Sequence, residues 1–228
     1  MLIFLDTQTT GLEKSDKIVS IGLLAKENTE VIVKSDFINE GKKIPPKASS
    51  INHITNEMLV NKPNLTQSET FKFLVQNNQK DTLLVSHNLN FDLSMLTSNC
   101  GFSWQGRIID TLRVSKHLMP ECEEYSLQFL RYELKLYKKE KEQLLANESL
   151  SDAKVTYMLY EALLELASLD ELELLSTKKV LMQKLEFGKY AGRYIEEISM
   201  IDRGYLEWML VKILDLDEDL RYSIEYYL

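Results

Sequence analysis

Residues 1–12 read MLIFLDTQTTGL, and this stretch decides the fold. Its start is a short apolar run, the pattern of a buried strand. The strand is predicted to end at Asp6, because turn-forming Thr-Thr-Gly follows at 9–11. Open α/β sheets place their functional sites at the carboxyl ends of strands. The stretch therefore predicts a buried strand with an acidic side chain at a candidate site.

The sequence after this strand predicts an α/β domain with a mixed sheet. Two strands follow at 17–26 and 30–37, joined by a hairpin turn at residues 27–29. A proline-started loop then leads into a short helix capped at Thr55. Further strands are predicted at 82–86 and 107–110, and helices at 68–79, 90–98, 111–118, 125–136 and 150–168. Three strands followed by alternating helices and strands are typical of this fold class.

Composition narrows the class of protein. The chain has 228 residues, of which 44% are hydrophobic and 27% are charged, as in a globular chain with one sizeable core. No run approaches the roughly 18 apolar residues of a membrane span, and the start lacks the features of a signal peptide, so a cytoplasmic location without a membrane partner is expected. Cys100 and Cys122 lack metal-site or disulfide spacing and are expected to be reduced. The net charge of −8 argues against a chain that coats nucleic acid by bulk attraction.

Four aspartates stand where secondary structure would bring them together. Asp6 ends the first strand, Asp110 follows a short strand, and Asp92 and Asp152 each lie near the start of a helix. Converging carboxylates repel one another unless a cation is present, so the pattern indicates a divalent metal site. Two such ions about 3.5 to 4 Å apart can clamp the attacking water and the leaving oxygen of a phosphodiester. Spacing alone is weakly specific, because any acidic chain of this length offers four aspartates.

The residues around these aspartates are more specific. Residues 4–12, FLDTQTTGL, resemble the first motif of the DEDD, or DnaQ-like, superfamily of 3'-5' exonucleases. The second motif is matched by VSHN at 85–88 with Phe-Asp at 91–92, and the third by LSDA at 150–153. INHITNEM at 51–58 and DTL at 110–112 match further segments of the family. Five matches in chain order over residues 1–165 make the resemblance highly specific.

The resemblance implies an RNase H-like fold, with a mixed five-stranded sheet flanked by helices, and two Mg²⁺ or Mn²⁺ ions. Asp6 would bridge both metals, Asp152 would ligate the metal on the nucleophile side, and Asp92 would support the other. The implied catalytic positions are Asp6, Gln8, Asp92, Asn147 and Asp152, and all of these except Asn147 are the implied metal ligands. The implied substrate-binding residues are Thr9, Thr10, Gly11, Leu12, His53, His87, Asn88, Phe91 and Asp110. For the two histidines, packing near the site is the alternative.

Two positions depart from the family pattern. The glutamate of the first motif is replaced by Gln8, which removes one negative charge and leaves a single amide oxygen for a metal. The histidine that serves as general base falls at Asn147, which cannot take a proton near neutral pH. Glu148, the next residue, is the nearest titratable group. Loss of a general base costs roughly 10²- to 10⁴-fold in rate, so weakened catalysis is expected.

The chain is predicted to divide into an exonuclease domain at 1–168 and, at 169–228, a linker helix over 169–183 with a small, mostly helical module. Residues from 187 onward are similar to the carboxyl-terminal module of some exonuclease X-like proteins. In this module Lys189, Arg193, Tyr190 and Tyr194 are candidates to contact a nucleic-acid strand, with an aromatic packing surface as the alternative. The segment RYELKLYKKEK at 131–141 is open to two interpretations, a nucleic-acid contact or a solvated helix face.

The expected function is therefore metal-dependent 3'-5' exonuclease activity on single-stranded or frayed 3' ends, with DNA favoured over RNA. A second hypothesis is a catalytically silent module that binds nucleic acid or a protein partner. Gln8 and Asn147 favour the second hypothesis, and the retained aspartates favour the first. A polymerase or repair partner is left open.

Overall fold

The computed structural model describes residues 1–228 and contains five strands and ten α-helices. The strands are β1 (Leu2–Thr9), β2 (Ile18–Glu27), β3 (Glu30–Phe37), β4 (Leu83–Ser86) and β5 (Arg107–Asp110). The helices are α1 (Pro46–Asn52), α2 (Glu69–Gln76), α3 (Leu89–Cys100), α4 (Thr111–Leu118), α5 (Leu127–Glu133), α6 (Ser149–Leu164), α7 (Leu169–Thr177), α8 (Ile195–Ile201), α9 (Arg203–Lys212) and α10 (Glu218–Tyr227). None of these helices combines the length and apolar character that crossing a bilayer requires.

The five strands form one mixed sheet in the order β3-β2-β1-β4-β5. β2 pairs antiparallel with both β1 and β3, whereas β4 pairs parallel with β1 and β5. The β2–β3 hairpin closes between Glu27 and Glu30, with Asn28 in the left-handed region at φ 53°. Asparagine tolerates this conformation, which suits a two-residue hairpin turn. The predicted mixed sheet is confirmed.

Helices cover both faces of the sheet, so β1 is buried on each side. Phe4 points into a core that includes Leu159 of α6, whereas Ile3 and Leu5 point into a core that includes Met95 of α3. A strand buried on both faces needs consecutive apolar residues rather than alternation, which explains the apolar start of the sequence.

Two local predictions were wrong. β1 does not end at Asp6, because its pairing with β2 continues through Gln8 and Thr9 with a register shift between them. The predicted helix capped at Thr55 is instead a 3₁₀ turn at Glu57–Leu59, and α1 lies earlier, at Pro46–Asn52. Proline suits the first turn of a helix, because its missing N–H has no partner there.

The carboxyl-terminal helices build a separate small core. Ile195, Leu206 and Ile224 are among its fully buried residues. The linker helix ends earlier than predicted, at Thr177. Leu172 in this helix packs into the core on the α6 side of the sheet, so α7 belongs with the sheet by its contacts. The division at residues 168 and 169 stays a prediction.

Gly22 lets α6 approach the sheet. Gly22 in β2 pairs with Asp6 in β1, and a Cβ atom at Gly22 would lie 2.4 Å from the backbone nitrogen of Leu150. Beside it, the hydroxyls of Ser20 and Ser149 are 2.7 Å apart and hydrogen-bonded. The first turn of α6 therefore rests on the sheet next to Asp6.

We expect the substitution Gly22→Ala to lower the free energy of unfolding by about 1 to 3 kcal/mol, because the added methyl group forces α6 off the sheet. Urea unfolding followed by circular dichroism measures this change. Gly204→Ala is the matched control, since Gly204 lies in α9 with open space around it, and this substitution should stabilise by about 0.5 to 1 kcal/mol. Equal effects of the two substitutions would contradict the close approach.

Candidate active site

Three carboxylates from three elements meet at one place in the fold. Asp6 lies within β1, Asp92 in the first turn of α3, and Asp152 in the first turn of α6. Burial and the charges of Asp152 and Asp92 raise the pKa of Asp6 well above its ordinary value. Burial, as the leading cause, also raises the pKa of Asp92 to about 6 and that of Asp152 to about 7. Asp92 and Asp152 are therefore each close enough to Asp6 to repel its charge.

Asp92 is held by hydrogen bonds from two strands. One carboxylate oxygen accepts from the backbone N–H of Thr7 at 3.0 Å and from its hydroxyl at 2.7 Å. The other oxygen accepts from the Ser86 hydroxyl at 2.6 Å. With 3% of its surface exposed, this carboxylate has a fixed orientation.

Asp152 is held by a chain of side chains that sequence reasoning missed. Gln128 of α5 donates from Nε2 to Asp152 Oδ1 at 2.8 Å, and its own Oε1 accepts from Arg131 Nη1 at 3.0 Å. Arg131 is buried and makes a bidentate ion pair with Glu140, with both contacts at 2.7 Å. The arginine thus orients the glutamine amide so that its N–H faces Asp152. Arg131 and Glu140 are nine residues apart, which would put them on opposite faces of a continuous helix, so no spacing in the sequence pointed to this pair.

The two departures from the family pattern both lie near these carboxylates. Gln8 donates from Nε2 to Asp6 Oδ2 at 2.9 Å, so its amide nitrogen faces the carboxylate. Asn147 is half-buried in the turn before α6, in the left-handed region at φ 58°. Glu148 is exposed, and its carboxylate accepts a hydrogen bond from the Ser151 hydroxyl.

A cleft of about 510 Å³ opens beside Asp6 and Asp92, whereas Asp152 lies outside its lining. Among the predicted site residues, the cleft is lined by Asp6, Gln8, Thr9, Thr10, Gly11, Leu12, His87, Phe91 and Asp92. Lys47, Ile51 and Asn52 of α1 also line it, and sequence reasoning missed them because α1 was expected to be a loop. The cleft therefore combines apolar walls with an acidic end.

Other predicted site residues lie outside the cleft lining or serve the scaffold. Asp110 is buried, and its oxygens accept from the backbone N–H groups of Asn88, Leu89 and Leu112, which caps α3 and α4. His53 is exposed and ends α1 at φ 58°. Substrate contact by Asn88, His53 and Asp110 stays a prediction.

His87 is neutral and fully engaged. Its Nε2 donates to the Tyr125 carbonyl at 2.8 Å, and its Nδ1 lies 3.0 Å from the Thr111 hydroxyl. Burial lowers its pKa to about 4. Both ring nitrogens are occupied, so this histidine does not supply the missing general base.

The arrangement of donor atoms suits a hard divalent cation. The three carboxylates offer only oxygen, and the one arginine charge that acts on them, that of Arg131 on Asp152, is separated from the carboxylate by Gln128. In the present side-chain positions, however, no three His, Cys, Asp or Glu side chains form a complete ligand set.

Comparison with known proteins identifies the family. Residues 3–160 match the model of the Exonuclease family, and residues 185–213 match the Exodeoxyribonuclease X-like C-terminal model. The chain belongs to the DnaQ-like exonuclease family. The predictions of superfamily, carboxyl-terminal module and RNase H-like fold are confirmed, as is the enzyme class of 3'-5' exonuclease. Enzymes of this family depend on divalent metal ions.

Relatives of the chain fall into two groups by length. Exodeoxyribonuclease 10 of Escherichia coli strain K12 is 25% identical over 231 residues, which cover 100% of this chain and 99% of that protein. DNA polymerase III subunit epsilon of Treponema pallidum is 35% identical over 135 residues, and the match spans 55% of this chain and only 60% of that protein. A structure of Exonuclease X in complex with 5'-overhanging duplex DNA shares the fold, with a TM-score of 0.62 and 23% identity over 77% of this chain and 99% of that one.

The burial of these carboxylates should make the stability of the metal-free protein depend on pH. Because the folded-state pKa values of Asp92 and Asp152 are raised, the folded chain binds more protons than the unfolded chain between about pH 4 and 7, and these groups destabilise the fold as the pH rises through that window. We expect Asp152→Asn to gain on the order of 1 to 3 kcal/mol of stability relative to the parent between pH 4 and pH 8. Urea unfolding in EDTA measures this difference. A difference that stays constant with pH would contradict the raised pKa of Asp152.

Removal of the Gln128 amide should weaken metal binding, because Asp152 then loses the donor that orients it. We expect Gln128→Leu to raise the dissociation constant for Mn²⁺ by about 10-fold or more. Electron paramagnetic resonance of free Mn²⁺ measures the constant. Gln105→Leu is the control, since Gln105 is an exposed glutamine whose side chain makes only long contacts to Ser103. An unchanged constant in Gln128→Leu would show that the amide does not position Asp152.

Proposed function

We propose that the chain removes nucleotides from 3' ends of DNA by metal-dependent hydrolysis. The observation that carries this proposal is the approach of Asp92 and Asp152 to Asp6, where Asp6 and Asp92 line a nucleotide-sized cleft and none of the three carboxylates forms a direct ion pair with a basic side chain. Repulsion among buried carboxylates destabilises the fold unless a cation binds. A carboxylate site that lowers the stability of the metal-free fold indicates a function that uses the bound cation.

The proposed metal site holds two Mg²⁺ or Mn²⁺ ions. Asp6, Asp92 and Asp152 would hold them, with the Gln8 amide oxygen as a further donor after rotation of the amide. When bound, the ions would activate a water molecule and stabilise the leaving oxygen of the phosphodiester. The protein side chains fix these positions, because the Thr7, Ser86 and Gln128 donors limit how far the carboxylates move.

The cleft supports a single terminal nucleotide as the substrate group. Leu12, Ile51 and Phe91 give it apolar walls against which a base can pack, and Lys47 is a cation on its rim. A base packs there only after it leaves the helical stack, so single-stranded or frayed ends are the proposed substrates. The Exodeoxyribonuclease 10 relative and the Exonuclease X complex favour DNA over RNA.

Catalysis in this chain is proposed to be weakened. Gln8 gives the site one negative charge fewer than a glutamate, and its amide N–H occupies an oxygen of Asp6. Asn147 provides no base, and the carboxylate of Glu148 is hydrogen-bonded to Ser151 rather than free. These contacts also favour the second candidate function, a silent site on a nucleic-acid-binding fold.

The double variant Gln8→Glu, Asn147→His separates the two candidates. We expect it to raise the rate of nucleotide release from a 3'-labelled single strand in Mg²⁺ by roughly 10²-fold or more over the parent, because both a ligand charge and a base are restored. Histidine is among the side chains that tolerate the left-handed conformation of residue 147, so the backbone should accept it.

The control is the same double variant with Asp6→Asn added, which should release no nucleotides. Equal release by the parent and the double variant would mean that another group acts as base. No release by either chain, at any concentration of Mg²⁺ or Mn²⁺, would favour the silent module.

A further inference from the structure

The segment after α5 carries two exposed tyrosines and a cluster of lysines. α5 ends at Glu133, and a 3₁₀ turn at Leu136–Lys139 follows, so the interpretation of residues 131–141 as one helix face was wrong. Tyr132 is 60% exposed and Tyr137 is 40% exposed, with their ring centroids 5.5 Å apart. We name this the tyrosine–lysine surface, and it consists of Tyr132, Lys135, Tyr137, Lys138 and Lys141.

This surface is positively charged in an acidic chain. Lys135, Lys138 and Lys141 are exposed, and none of them lies within ion-pair distance of an acidic group. Lys139 beside them has only a 3.8 Å contact with the exposed Glu165. Of the acidic residues in the segment, Glu140 is already neutralised by Arg131, which leaves Glu133. The chain as a whole has a net charge of −8, so this local excess stands out.

A buried arginine holds the surface in place from beneath. Arg131 makes its bidentate pair with Glu140 and donates to the Leu144 carbonyl at 3.1 Å, which ties both ends of the segment together. Leu136 is 1% exposed and anchors the middle in the core. The backbone that carries the tyrosines and lysines is therefore held in place before any ligand binds, which lowers the entropic cost of binding.

The same arginine connects the surface to the carboxylates. Gln128, which Arg131 orients, donates to Asp152, and Tyr132 lies one helical turn further along α5, about 6 Å away along the axis. A groove of about 440 Å³ is lined by both Gln128 and Tyr132, and Glu124 and Glu133 also line it. The groove therefore connects the glutamine that holds Asp152 with the tyrosine–lysine surface, and the lysines beside the groove supply the positive charge.

We propose that the tyrosine–lysine surface binds the single strand of DNA that leads into the cleft. Unpaired bases stack on Tyr132 and Tyr137, and the three free lysines bind phosphates. Duplex DNA fits less well, because its bases are already stacked on one another. The carboxyl-terminal module is a poorer surface, since Lys189 and Arg193 are paired with Asp202 and Glu197. This inference rests on the proposed function for the identity of the strand.

Binding of a fluorescein-labelled 12-nucleotide thymidine strand in EDTA tests the surface without hydrolysis. We expect Tyr132→Ala to weaken binding by about fivefold or more, because a stacking platform is lost. The double variant Lys138→Gln, Lys141→Gln should reduce the slope of log affinity against log salt by about 1.4. Lys212→Gln is the control, since Lys212 is exposed on α9 and lies outside the tyrosine–lysine surface. This substitution should leave the affinity for the 12-nucleotide strand close to that of the parent.

The outcomes separate this inference from the proposed function. If Tyr132→Ala and the lysine double variant bind the 12-nucleotide strand as well as the parent does, the proposed role of the surface is wrong, whatever the hydrolytic activity. If the same substitutions weaken binding of a blunt duplex as much as binding of the single strand, the assignment to single-stranded DNA is wrong. A thymidine dinucleotide is too short to reach the surface. We therefore add the Tyr132→Ala or the lysine substitutions to the Gln8→Glu, Asn147→His variant, and we expect the resulting enzymes to hydrolyse the dinucleotide at the same rate as that double variant. Failure of that background to hydrolyse it in Mn²⁺, with strand binding intact, would count against the proposed function alone.

Discussion

The close approach of α6 to the central strands at Gly22 is the contact on which the site depends. Asp6 and Gly22 are paired across β1 and β2, and the first turn of α6, which carries Asp152, lies directly over that pair. Any side chain at residue 22 would separate the helix from the sheet and Asp152 from Asp6. The fold thus uses a missing side chain in one strand to bring together acidic side chains from two other elements.

This approach creates an electrostatic cost that the protein offsets with neutral donors. Asp92 receives three hydrogen bonds, from Thr7 and Ser86, while the amides of Gln8 and Gln128 donate to Asp6 and Asp152. Each donor places a partial positive charge where a cation would otherwise be needed. A glutamate at residue 8 would instead add a fourth repelling charge. The hydrogen bond from Gln8 to Asp6 therefore stabilises the metal-free fold, and it also reduces the stabilisation that a bound metal ion would add.

Local sequence patterns predicted the elements whose formation is itself local. The apolar run at 2–5 and the Asn28 turn specify strands and a hairpin through propensity and burial, and the motif residues gave the site its three aspartates. Long-range pairing decided the rest. β1 extends beyond Asp6 because β2 supplies hydrogen-bonding partners. Gln128 donates to Asp152 because Arg131, which is held by its ion pair with Glu140, orients the glutamine amide. No spacing rule connects residues 128, 140 and 152, so this network was invisible in the sequence.

Net charge is a poor guide to nucleic-acid binding in this chain because its charges are segregated. Residues 185–228 contain five basic and ten acidic residues, a net charge of 5 − 10 = −5, so most of the acidic excess lies in the carboxyl-terminal helices. Asp92, Asp110 and Asp152 are buried, and their charges act within the site rather than on an approaching strand. Water and salt screen the distant charges over a Debye length of about 8 to 10 Å, so a strand near Tyr132 responds mainly to the lysines beside it. An acidic protein can therefore attract a phosphate backbone locally, which is the condition that a nuclease of this composition must satisfy.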